Sequence, residues 1–198
     1  MREILKPQNP QLLRQTNIND VLGLPPLARP GQIYLITGHS SLIRPVAQEL
    51  LHRFAILGEL RVILGGNRFS LERLPLLLGD DIARLPEVLN GVKISRGETC
   101  YQLLDALKQT ETSQIPLIVM DMLDSFYDED LTEREVERVL ADSLAHVQRV
   151  SKKAPLLLSA SANPGREQLL DTLRDTAEYS IELKPENNGQ AVAQLDLL

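Results

Sequence analysis

From Gly31 onward the chain alternates short apolar runs with segments of helical period, and no other feature constrains its fold as tightly. The runs are "IYLIT" (33–37), "LRVILG" (60–65), "GVKIS" (91–95), "PLIVMD" (116–121), "APLLLSAS" (154–161) and "YSIEL" (179–183). Leu117, Ile118 and Val119 are consecutive, so that strand is apolar on both faces. A strand with one wet face would alternate; one apolar throughout suits a parallel sheet covered by helices. Between the runs, Val46, Leu50, Phe54 and Leu57 recur three or four apart, as do Val136, Val139, Leu140, Leu144, Val147 and Val150. Each set marks one face of a helix. The second helix opens at Thr132 and Glu135, which have capping-box spacing. Strand and helix in alternation predict a doubly wound α/β domain with a mainly parallel sheet and helices on both faces.

Residues 1–30, rich in Pro, Asn and Gln and ending in "LPPLARPG", read as a lead-in arm with one short helix near Ile18 to Leu22. Residues 31–198 carry the domain, and the tail "PENNGQAVAQLDLL" holds an Asn-Asn-Gly turn that predicts a C-terminal antiparallel hairpin. With 198 residues there is room for one well-buried core. A single cysteine, Cys100, excludes an internal disulfide and suits a reducing compartment. No run of 18 apolar residues and no apolar signal core appear, so the expectation is a cytoplasmic protein without a membrane span. The formal charge of −6 disfavours passive attraction to DNA or anionic lipid.

In folds of this class ligands gather where strands end. The first such end is "ITGHSSLIRP", residues 36–45. Laid on the phosphate-loop pattern G-x-x-x-x-G-K-[ST], Gly38 fits, while Ile43, Arg44 and Pro45 replace the second Gly, the Lys and the hydroxyl residue. Pro45 cannot hold a metal ion, although it is a good first residue of a helix. The candidate nucleotide-binding residues are therefore Gly38, His39, Ser40, Ser41, Leu42, Ile43 and Arg44. A plain strand–turn–helix accounts for the stretch as well as an altered phosphate loop does. The second end, Asp121 after "PLIVM", has the pattern of a carboxylate that orients Mg²⁺ through water, and joins the candidate set. No catalytic residue is assigned, and His39, His52 and His146 are too scattered for a zinc site.

The third end, "ELRVILGGNRFSLERL" (59–74), resembles the second core strand and turn of RecA-type recombinases and their KaiC and archaeal RadB-like relatives. Ile63, Phe69, Glu72, Arg73 and Leu74 keep that pattern, whereas Leu64 and Gly66 stand where the family has acidic residues. The resemblance spans roughly residues 15 to 185, with Arg96 just past a strand and Ser159, Ser161 or Asn163 standing at the end that senses the γ-phosphate. It implies a RecA-like phosphate-loop fold, ATP or ADP as the ligand of the ancestral site, and a general base missing at Gly66. Altered at the lysine, the hydroxyl, the second glycine and the base, such a chain is expected to have lost hydrolysis. It would then serve as an accessory or regulatory subunit, through a protein partner or a second copy of itself, in recombination or repair.

Two other readings stand beside that one. Backbone groups of 38–44 with Arg44 would hold a nucleotide without metal, or an N-terminal arm carrying Arg2, Lys6, Arg14 and Arg29 would bind nucleic acid. Against the latter stands "DSFYDEDLTERE", where Asp124, Asp128, Glu129, Asp130, Glu133 and Glu135 would repel phosphates.

Overall fold

Each apolar run becomes a strand in the computed structural model of the protein, which is described over residues 15–17, 28–66, 85–127, 131–185 and 191–197. The strands are β1 (Gln15–Asn17), β2 (Ile33–Gly38), β3 (Leu60–Gly65), β4 (Val92–Gly97), β5 (Leu117–Met120), β6 (Leu156–Ala160), β7 (Tyr179–Pro185) and β8 (Ala191–Leu197). The helices are α1 (Ser40–Leu57), α2 (Leu85–Gly91), α3 (Cys100–Gln109), α4 (Glu133–Ser151) and α5 (Glu167–Thr176). All join one sheet of order β1-β8-β7-β2-β6-β5-β3-β4. The six strands from β7 to β4 run parallel, and β8 and β1 close one edge antiparallel. The predicted α/β class and the pairing of the C-terminal hairpin are both present. The turn at 187–189, the helix near Ile18 to Leu22 and the segment 68–74 lie outside the described residues.

Side chains alternate across a strand, so a doubly apolar strand feeds two cores at once. Ile33, Leu35, Leu117, Val119, Leu156 and Leu158 pack with α3, α4 and α5 on one face. Tyr34, Ile36, Val62, Leu64, Ile118 and Leu157 pack with α1 and α2 on the other. The α4 stripe is buried as its period predicts, and Thr132 and Glu135 form both halves of the capping box. Leu57 corrects the α1 reading, being 62% exposed. It is the last residue of α1, before Gly58, and the helix has there run past the core.

The neighbouring strands β2 and β6 send their following helices to opposite faces. After β2 the chain enters α1, whereas after its neighbour β6 it enters α5 on the far side. The carboxyl ends of these strands therefore part, and a crevice opens between them.

Candidate functional site

The turn from β2 into α1 is one residue long. His39 caps the helix with extended backbone, and its Nδ1 accepts the Ser41 N–H at 3.3 Å and lies 2.7 Å from Ser41 Oγ. The His39 carbonyl accepts the N–H groups of Leu42 (2.9 Å) and Ile43 (3.1 Å). This corrects the loop expected over 38–44, because Ser40–Arg44 are already helical. A phosphate cradle needs a run of inward-facing N–H groups, and three of the candidates are bonded within the cap. The physical reason lies in the side chains: Ile43 is fully buried against β2 and β3, so the helical face extends back to it. Pro45 is the sixth residue of α1 rather than its first, and it leaves the Ser41 carbonyl without a helical donor. Gly38 has a structural use of its own. Its φ is 140°, and a Cβ there would lie 2.5 Å from the Leu183 carbonyl oxygen on β7.

Arg44 and Asp121, far apart in sequence, do meet. Arg44 Nε donates to Asp121 Oδ2 at 3.2 Å, and Nη2 reaches Asp124 Oδ2 at 3.5 Å. Asp121 is buried and adopts φ 50°, a left-handed conformation that aspartate tolerates better than most residues. Its N–H donates to Ser159 Oγ at 3.0 Å, and Met122 N–H donates to the Ser159 carbonyl at 2.8 Å. Gly65 has no Cβ to strike the Asp121 carbonyl, which lets β3 and this turn pack closely. Ser159 is thus a brace for Asp121, whereas Ser161 and Asn163 lie at the crevice. Arg96 falls within β4 rather than past it.

Asp121 is followed by a single 3₁₀ turn, Asp124–Phe126, anchored by buried Met122, Leu123 and Phe126. That turn puts the Asp124 side chain beside Gly66, where a Cβ would sit 3.3 Å from Asp124 Cβ and 3.9 Å from Oδ2. Position 66 lacks an acid, yet a carboxylate stands next to it.

The crevice is a cavity of about 590 Å³ lined by His39, Ser40, Gly66, Glu98, Asp124, Ser125, Tyr127, Ser161, Ala162, Asn163 and Pro164. Tyr127 closes one side, its hydroxyl donating to the Ser161 carbonyl at 2.7 Å. Burial, and then the Asp124 charge, push its phenol up to about 12. Among the described residues no group of three or more His, Cys, Asp or Glu side chains is placed to hold a metal ion.

The eight predicted site residues therefore separate. His39 and Ser40 face the cavity, Arg44 and Asp121 bind each other, and Ser41 completes the cap. Gly38, Leu42 and Ile43 belong to packing. Sequence reasoning missed Glu98, Ser125 and Tyr127. Glu98 had a usable signal: Gly97 ends a strand and Thr99 caps a helix, so Glu98 sits at a strand end on the same edge of a parallel sheet. Nothing in the sequence marked Tyr127.

Fold and site together define a doubly wound α/β protein with a polar cavity at the carboxyl edge of its parallel sheet. No protein-family model matches the chain, and no curated protein matches it.

Proposed function

We propose that this protein is a RecA-like ATPase relative that has lost hydrolysis and acts through protein contacts, as an accessory or regulatory subunit in recombination or repair. The carrying observation is the ion pair of Arg44 with Asp121 and Asp124. The residue expected to meet phosphate neutralises the residue expected to meet Mg²⁺. Helical Ser40–Arg44 support the same reading, since they leave no loop to wrap a phosphate chain. Thermal unfolding with and without Mg-ATP or ADP tests it. A nucleotide at 100 times its Kd would stabilise the fold by about 2.7 kcal/mol, a rise of roughly 5 to 10 °C for a chain of this size. No shift is expected at millimolar nucleotide; a rise of that size overturns the reading.

The opening of the α1 N-terminus on the cavity favours a second reading, in which a nucleotide binds without metal. That reading requires Arg44 to leave the aspartates for the phosphates. It predicts a nucleotide-dependent shift that Arg44→Ala abolishes.

A further inference from the structure

We propose that the amino edge of the sheet around Leu57 is a docking surface for a partner segment that carries aliphatic side chains among Lys or Arg, an inference that rests on the reading of this chain as one acting through protein contacts. The surface begins with a short turn. Gly58 and Glu59 alone carry the chain from α1 into β3, so the last side chain of α1 has no sheet beneath it. Among the described residues three large apolar side chains are markedly exposed: Leu57 at 62%, Leu89 at 45% and Tyr101 at 41%. Leu57 and Leu89 stand in the last turns of α1 and α2, and these helix ends meet. A Cβ on Gly91 would lie 3.7 Å from the Gly58 carbonyl oxygen. One exposed leucine is ordinary; two on adjoining helix ends begin a contact surface.

Leu57 also stands between two hollows that share it. One, of about 260 Å³, has Ala55, Ile56 and Val88 in its lining; the other, of about 290 Å³, has Phe54, Ile115 and Pro116. Both fall below the roughly 300 to 1,000 Å³ of pockets that enclose small molecules, and suit single side chains seated on either side of a ridge. Charge selects the occupant. Glu59 borders both hollows and Glu87 one, and none of their described lining residues is Lys or Arg. The neighbouring Arg53 and Arg61 lie against Glu49 and Glu111. In a symmetric contact between two copies this patch would meet itself, bringing Glu59 toward like charge, and the charge of −6 on each chain adds to the repulsion. An anionic membrane surface is repelled for the same reason. A basic segment is attracted, and the aliphatic stems of its Lys or Arg residues cover the apolar rim.

The test is an amide ¹H–¹⁵N titration of the full chain with an acetylated, amidated peptide of about 14 residues, built of Leu and Lys at helical period. Two control peptides replace every Leu by Ser, or every Lys by Glu. Saturating shifts are expected at Gly58, Glu59, Val88, Gly91 and Ile115 with the Leu–Lys peptide, and with neither control. Leu57→Ser should raise the Kd about tenfold and Glu59→Gln about threefold. Both side chains are exposed, so both variants keep the fold. Absent shifts, equal shifts with either control, or shifts spread along the acidic face of α4 overturn the surface. Concentration-dependent shifts at these amides without peptide, with a dimer in sedimentation, overturn it in favour of a second copy. Thermal unfolding with Mg-ATP or ADP separates the two levels. A nucleotide-induced rise in Tm overturns the accessory reading, whereas a silent Leu–Lys peptide with no such rise overturns the docking surface alone.

Discussion

Replacing Arg44 by Met removes the guanidinium while keeping most of the aliphatic stem, and the cost can be bounded from the geometry. An exposed ion pair contributes at most about 1 kcal/mol. Removing one partner of a fully buried pair costs about 3 to 5 kcal/mol, because the other charge stays buried and uncompensated. This pair falls between: the Asp121 side chain is 5% exposed, Asp124 16% and Arg44 27%. Contacts of 3.2 and 3.5 Å, one good and one long, place the loss near 2 kcal/mol. For a chain of this size that lowers Tm by roughly 4 to 8 °C. Urea unfolding of wild type, Arg44→Met, Asp121→Asn and the double variant forms a cycle that isolates the coupling. The double variant should be clearly more stable than the sum of the single losses implies, by about 1 to 2 kcal/mol. A loss below 0.5 kcal/mol in Arg44→Met, or strict additivity, would refute the claim that Arg44 is the internal counterion of this site.

Arg149 on α4 donates to Thr112 Oγ1 at 2.6 Å and to the Leu107 and Thr110 carbonyls at 3.2 and 2.8 Å, so it caps the C-terminal end of α3. Arg149→Ala should cost about 2 kcal/mol and speed amide exchange in the last turn of α3 selectively; uniform exchange across the chain would contradict the capping role. For Tyr127 the folded pKa of about 12 lies above the model-peptide value of 10.0. The folded state therefore holds a proton that the unfolded state has lost between those values, and stability should fall as pH rises from 10 through 12. Tyr127→Phe should flatten that alkaline decline in urea midpoints measured from pH 9 to 12; an unchanged decline would exclude Tyr127 as its source.

Much of the fold was legible because parallel sheets leave a strong trace. Leu117, Ile118 and Val119 in succession require cover on two faces, and α4 on one face with α1 on the other supply it. The turn after β2 was harder, because Ser40 and Ser41 are the preferred kind of helix cap, yet His39 takes that position. The deciding signal was Ile43, which shares its helical face with Val46, Ala47 and Leu50 and draws the helix start back to Ser40. The meeting of Arg44 with Asp121 could not be read from the sequence. It depends on β6 lying between β2 and β5, and on the left-handed turn at Asp121. The cavity was legible only in outline, since the carboxyl edge follows from parallelism but the inward turn of Tyr127 does not.

The placement of β2 also bears on how the chain folds as it is made. β2 is synthesised before every other parallel strand, yet it pairs with β6 and β7 alone. Its partner residues Leu156–Ala160 emerge long after β3, β4 and β5, which pair among themselves. Ile33, Leu35 and Ile36, all buried in the finished sheet, must therefore wait unpaired beside a growing three-strand platform. Contacts this distant in sequence are slow to close, and unpaired apolar strands are the segments that chaperones shield. The strand that leads into His39 and Arg44 thus joins the sheet late in synthesis, and the half of the cavity built after β3, β4 and β5 waits for it.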